Sequence, residues 1–228
     1  MKILGIETST FSGSVSVSDD DALLCEYVFN TGPRHNEVLI PTIERLLSDC
    51  GLGKNDLDAV CVSTGPGSFT SLRIGVSTAK ALCYSLGADL AGVPSLEILA
   101  SNALWCGNDV CVMTDAGRGE VFFSFYDPKG EEVNPAEIAT PESVCDEVRK
   151  KTVFVGSGAM LHANLIRNAL GETAVFLPAN LNTPRASGCA LLGRKKILSG
   201  QKGDPFTLTP FYLRRSAAER EVKSAKRR

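Results

Sequence analysis

One order of elements runs through this 228-residue chain twice. In the first pass, Lys2–Glu7 is apolar, residues 8–13 are small and polar, and residues 14–18 alternate Val with Ser. Such alternation is the period-two mark of a half-buried strand. Asp19-Asp20-Asp21 supplies a turn and Ala22–Phe29 a third strand, so the chain is predicted to open with an antiparallel meander. Leu39, Ile43, Leu46 and Leu47, three or four residues apart, predict a helix over residues 36–50. Pro41 removes one helical hydrogen bond and predicts a kink or a late start. A buried strand over 58–63, a Gly/Pro/Ser loop over 64–71 and a helix over 70–86 come next. Ser95 is the predicted N-cap of a short helix reaching Leu104, and Gly107-Asn108 breaks the pattern near the midpoint.

The second pass starts with a strand over 109–115, a small-residue turn and a return strand over 121–126. Leu4-Gly5-Ile6-Glu7-Thr8-Ser9 matches Val112-Met113-Thr114-Asp115-Ala116-Gly117 in kind, each an apolar strand ending in a carboxylate. Thr152–Val155 followed by Gly156-Ser157-Gly158 then echoes residues 60–63 followed by Gly65-Pro66-Gly67. Two matches in one order point to duplication, hence to two similar α/β lobes facing each other across a cleft. Actin-like ATPases and sugar kinases are built in this way. The expected division is a first lobe over 1–107, a second over 108–213, and a basic tail over 214–228.

Composition narrows the class. With 43% apolar and 22% charged residues, the chain can build a large core without disulfide or metal staples. No stretch approaches the ~18 consecutive apolar residues of a membrane span, and Glu7 interrupts any secretory signal, so a cytoplasmic protein is expected. Eight cysteines are present, no two of them two or three residues apart, whereas zinc sites usually take such close pairs. They read as small buried hydrophobes in a reducing compartment. The tail carries a net +5, leaving −7 on the remainder; it reads as a solvated terminus, the sharper alternative being an arm that contacts RNA phosphates.

Few residues offer chemistry. Two glycines around a proline in Ser63-Thr64-Gly65-Pro66-Gly67-Ser68-Phe69-Thr70-Ser71-Leu72-Arg73 force a tight loop between strand and helix. The first amides of that helix would face whatever lies before them. With Gly65 and Gly67 in the loop, Ser68 and Thr70 at the helix start and Arg73 adding charge, it is either an anion site or a tightly packed turn. It lacks the Gly-Lys-[Ser/Thr] ending of a P-loop. Thr8 and Ser9 occupy the turn that wraps phosphates in actin-like enzymes, but Glu7 replaces the expected Asp and no glycine follows until Gly13. His35 and His162 have no partner at ligand spacing, and surface or cap roles are expected of them. There is no Gly-x-Ser-x-Gly nucleophile elbow.

The residues resemble the TsaB (YeaZ) family. The resemblance rests on the opening Ile3-Leu4-Gly5-Ile6-Glu7-Thr8-Ser9-Thr10, on His35-Asn36-Glu37-Val38-Leu39-Ile40-Pro41 and on Gly65-Pro66-Gly67-Ser68-Phe69-Thr70 with Arg73-Ile74-Gly75. Residues 115–126 and the late Pro210-Phe211-Tyr212-Leu213-Arg214 complete it. Departures are Glu7, where the family usually has Asp, Ser71, where it usually has Gly, and Gly117 and Gly119 in a usual Asp-Ala-Arg stretch. The resemblance implies an α/β, duplicated actin-like (ASKHA, RNase H-like) fold and a part in making threonylcarbamoyladenosine next to the tRNA anticodon. It implies a partner of the metal-dependent transferase TsaD, with the ATPase TsaE joining the assembly, self-association as a dimer in the partner's absence, and only indirect contact with tRNA. TsaD holds its metal through His-x-x-x-His, and Ser95 and Leu99 stand at the matching positions here. The chain is thus expected to have no catalytic or metal-binding residue and no cofactor of its own, a nucleotide at the partner interface being the one allowed. Leu39, Ile43, Leu72, Val76 and Ala79 are the expected partner face, their alternative being ordinary core. Competing readings are an ATP-dependent kinase or ATPase and a glycoprotease-type metallopeptidase.

Overall fold

In the computed structural model, which describes residues 1–30 and 34–214, the two passes become two five-stranded mixed sheets. The first contains β1 (Lys2–Glu7), β2 (Gly13–Asp19), β3 (Ala22–Phe29), β4 (Ala59–Gly65) and β5 (Asp89–Pro94), in the order β3-β2-β1-β4-β5. The second contains β6 (Asp109–Gly117), β7 (Glu120–Tyr126), β8 (Glu137–Ala139), β9 (Thr152–Val155) and β10 (Ala174–Phe176), in the order β8-β7-β6-β9-β10. Strand for strand the topologies agree, with one antiparallel meander and two parallel additions in each. Even the loop conformation repeats, since Gly65 and Gly156 share φ = +112° at the ends of β4 and β9, a value open to glycine and rarely to other residues.

Among the described residues seven α-helices cover the sheets: α1 (His35–Asp49), α2 (Phe69–Leu86), α3 (Ser95–Ser101), α4 (Pro141–Glu147), α5 (Ser157–Leu161), α6 (Ala163–Leu170) and α7 (Ala186–Leu198). None among the described residues is long and apolar enough to cross a membrane. Pro41 sits inside α1 without ending it. Ser95 is the first helical residue of α3 and Pro94 its N-cap. That helix stops short of Leu104, where the Asn102 side-chain amide turns to the carbonyls of Leu181 and Thr183. His35 is wholly buried, edge-on to Phe29 at 5.7 Å between ring centres, and so is not a surface residue.

Alternation along the strands sorts the core. Leu4, Ile6, Val60 and Val62 face α1 and α2, while Ile3, Ala59 and Cys61 face α3 and α7 on the other side. In the second lobe, Val110 and Val112 face α3, and Cys111 and Met113 face α4, α5 and α6. Five of the eight cysteines are buried and all are free thiols; burial pushes Cys61 and Cys83 up to about 12.

Helix α7 departs from the linear division at residue 107. It lies late in the chain yet packs on the first sheet through Cys189, Ala190 and Ile197, and Gly203 then hydrogen-bonds the Leu90 carbonyl at 2.7 Å. Its start is tied to the opening meander. Ser14 Oγ accepts the Ala186 amide at 2.9 Å, and Glu26 Oε1 accepts both the amide and the hydroxyl of Ser187 at 3.0 Å. Arg185 pairs with the other oxygen of Glu26 at 2.7 Å. A carboxylate at a helix N-terminus meets unpaired amides and the positive end of the helix dipole. Glu26→Ala is expected to cost about 2 kcal/mol of stability, read as a lower urea midpoint with an unchanged slope.

The lobes are also offset from the register that the apolar pattern suggests. Aligning the parallel ladders pair by pair sets Ile6↔Val62 against Val112↔Val155. Glu7 then stands level with Met113, and Asp115 level with Ser9. A shift of two residues preserves which face each side chain takes, so the apolar pattern alone does not distinguish the two registers.

Candidate functional site

The ends of β1 and β6 open onto a cleft of about 610 Å³ between the lobes. The turn after β1 forms one wall with Ser9 and Phe11, and the loop after β4 continues it with Pro66 and Ser68. The opposite wall has Thr114, Asp115 and Phe122. A C-terminal strap, residues 211–214, crosses from one to the other.

All but Thr70 of the residues expected to bind an anion are engaged by their neighbours. Ser68 donates its amide to the Ser9 carbonyl at 2.8 Å, and a Cβ on Gly67 would collide with that same carbonyl. Thr8 donates its amide to Ser63 Oγ at 3.3 Å, and its hydroxyl donates to the Ser71 carbonyl at 2.9 Å. Gly65 donates to Ser95 Oγ at 3.1 Å, and a Cβ on it would collide with the Phe211 carbonyl. The Ser68 hydroxyl shares a hydrogen bond with Ser71 Oγ at 2.9 Å, and Thr70 is exposed on the first turn of α2. Arg73 lies over the Phe69 ring, 4.0 Å from its centre, and donates to the Tyr212 hydroxyl at 3.0 Å. The turn and loop therefore close on one another.

Glu7 is entirely buried beneath this turn. One carboxylate oxygen accepts the Ser9 amide, and the other has no hydrogen-bond partner. Burial holds its carboxyl above the ordinary range, against the opposing effect of the nearby Ser9 and Ser63. A carboxyl that is harder to ionise when folded stabilises the protein below the ordinary value of 4.5 and progressively less as pH rises through its folded value. Glu7→Gln, which keeps the acceptor and removes the titration, is expected to raise Tm at neutral pH. The gain should shrink towards pH 4, and a gain that grows on acidification would contradict this.

The strap joins the lobes. Phe211 donates its amide to the Thr64 carbonyl at 2.7 Å, and Tyr212 packs on Phe69 with ring centres 4.6 Å apart. Arg214 reaches the second lobe, where it bonds the Ala116 carbonyl at 2.8 Å and pairs with Glu120. The rest of the basic tail lies outside the described residues. Asn182, which sequence reasoning passed over, holds the second lobe's loop: its Oδ1 accepts the Gly156 amide at 2.9 Å. No spacing or composition signal marks that asparagine.

The expected partner face is corrected. Leu39, Ile43, Leu72, Val76 and Ala79 are at most 4% exposed, and all but Leu72 belong to the core between α1, α2 and the first sheet. An amphipathic helix turns its apolar stripe to its own sheet, which puts these five side chains out of a partner's reach. The outward faces carry Ile40, Pro41 and Glu44 on α1, and Ser77, Ala81 and Tyr84 on α2.

Comparisons with known proteins agree with this geometry. Residues 30–222 match the family described as TsaD, tRNA N6-adenosine threonylcarbamoyltransferase. The chain is 33% identical to the tRNA threonylcarbamoyladenosine biosynthesis protein TsaB of Bacillus subtilis over 225 residues, covering 96% of each chain. It superimposes on YeaZ from Pseudomonas aeruginosa with a TM-score of 0.80 at 25% identity, over 93% of this chain and 99% of that one. The ROK hexokinase from Thermus thermophilus, with a TM-score of 0.51 at 15% identity over 88% of this chain and 100% of that one, shares the fold alone. The architecture is the two-lobed, duplicated actin-like fold.

Proposed function

We propose, from the premise that this chain belongs to the TsaD family and, with its TsaB (YeaZ) members, to the proteins of tRNA threonylcarbamoyladenosine biosynthesis, that it serves there as a non-catalytic activator. It docks on a TsaD-type transferase, which transfers the threonylcarbamoyl group to the adenosine beside the anticodon, in an assembly that a TsaE-type ATPase joins. The observation that carries this reading is the sealed turn and loop. Phosphate sites in such folds need free backbone amides and close approach to the chain. Here the Ser9 carbonyl takes the Ser68 amide and lies against Gly67.

Two further features support it. Ser95 and Leu99, where TsaD has its histidines, are a buried hydroxyl that accepts the Gly65 amide and a core leucine. Neither an isobutyl group nor a single hydroxyl can replace a pair of imidazoles on a metal. The adjoining outer faces of α1 and α2, small in side chain at Ser77 and Ala81, are the docking surface in this reading, and without the transferase a second copy takes its place.

The test is threonylcarbamoyl transfer to tRNA by TsaC-type, TsaD-type and TsaE-type proteins from one source, with and without this chain. Modification should appear only when the chain is added, and the chain alone should turn over no ATP. Equal modification in its absence would sink the reading, and ATP turnover by the isolated chain would restore the kinase or ATPase alternative.

A further inference from the structure

Three cysteines, Cys25, Cys50 and Cys106, are half-buried, while the core encloses the other five. Cys106 lies in the turn over Leu104–Cys106. The other two are brought together by the way β3 and α1 pass one another. Side chains two residues apart on a strand share a face, and Cys25, Tyr27 and Phe29 all turn to the core cluster that α1 covers. They meet the helix in antiparallel order. Phe29 packs edge-on to His35, where α1 starts. The Tyr27 hydroxyl donates to Asp49, the last helical residue. Cys25 then faces the thiol of Cys50, the residue that caps the helix. Both cysteines pack on the rim of the same cluster, and Arg45, 3.2 Å from the Asp49 carboxylate, adds to the tie between strand and helix.

Two thiols held side by side react with one another intramolecularly, at a high effective concentration. Half-burial also leaves this pair within reach of a dissolved oxidant, from which the five enclosed cysteines are shielded. Susceptibility to oxidation follows such access.

We propose that Cys25 and Cys50 form a modification site at which a peroxide closes a reversible disulfide between β3 and the C-terminal end of α1. With hydrogen peroxide, the Cys25 sulfur attacks one oxygen, the O–O bond breaks, and a sulfenic acid and one water result. The Cys50 sulfur then attacks the Cys25 sulfur and expels its hydroxyl as a second water. The two thiol protons leave in the two waters, and the two electrons lost by the sulfurs reduce the peroxide. Burial, the Cys25 thiol and Asp49 together push the Cys50 thiol up, which leaves the first step to Cys25. The site is independent of the docking reading, since its test uses the chain alone.

The folded chain is treated with hydrogen peroxide, and its intact mass and its peptides are measured without reductant. The chain should lose the mass of two hydrogens, the peptides holding Cys25 and Cys50 should appear linked, and dithiothreitol should reverse both. Cys25→Ser and Cys50→Ser should each abolish the loss, whereas Cys106→Ser should leave it intact. A gain of oxygen with no linked peptide in the unsubstituted chain overturns the proposal. So does a link between two chains or through another pair of cysteines, or a loss of hydrogens that survives in either of the first two variants.

Discussion

Ser77→Arg is expected to cut threonylcarbamoyl transfer in the reconstituted system about a hundredfold while leaving the stability of the chain within about 0.5 kcal/mol. Ser77 and Ala81 are exposed on α2, and Tyr84, 70% exposed, follows one turn later. Small side chains let a partner helix approach to about 8–10 Å between axes, with the tyrosine as an aromatic anchor of the kind that dominates interfaces. An arginine in that space both holds the helices apart and brings a charge that docking must strip of water. A hundredfold loss corresponds to about 2.8 kcal/mol, within what one unpaired interfacial charge costs. The checks are retention of the transferase on a column carrying the variant and the rate of transfer. Normal retention and rate would remove this face of α2 from the interface. The neighbouring Val76→Arg is no substitute, since Val76 is 2% exposed and a charge there would test only the core.

Gly193→Val is expected to cost about 3 kcal/mol or more, a large fraction of the roughly 5–15 kcal/mol that holds a domain folded. Gly193 lies in α7 where the helix runs closest to the first sheet, and a Cβ there would fall on the side chain of Cys61 with Ala91 3.4 Å away. These neighbours sit on β4 inside the sheet and on β5 at its edge, tied together by the ladder between them, so the helix has to lift rather than the strands move. Lifting it uncovers Ile3 and Cys61 and strains the cap at Glu26. The measure is the urea midpoint, with near-ultraviolet dichroism to report loss of packing. An unchanged midpoint would mean that α7 does not press on the sheet.

The same helix shows what a sequence of this kind conceals. Strands β1, β3 and β9 are legible to the residue because they combine apolar runs with sharp polar ends. Helix α7 is not, because its buried positions include Ala186, Ala190 and Gly193, whose small side chains give little apolar contrast with the outward face. Strand β5, Asp89–Pro94, is short and holds Gly92 between Ala91 and Val93, so it reads as a connection. On α1 and α2 the periodicity was clear, yet it reports burial and not function: the stripe of Leu39, Ile43 and Val76 is what the sheet covers. The Gly-Pro-Gly loop presented the converse case. Its composition allows an anion site or a packed turn, and nothing in the sequence shows that the Ser68 amide turns to the Ser9 carbonyl.

The placement of α7 also fixes when the first lobe can be completed during synthesis. A ribosome delivers β1 to β5 with α1 and α2 well before it delivers residues 186–198. Until the final part of the chain leaves the exit tunnel, the face formed by Ile3, Ala59, Cys61 and Ala91 lacks its main cover. Domains at the N-terminus of a nascent chain commonly fold first, but this one has to wait for its own C-terminal helix. The nascent chain therefore carries an open apolar sheet face through most of translation, the kind of surface that a ribosome-bound chaperone holds until release.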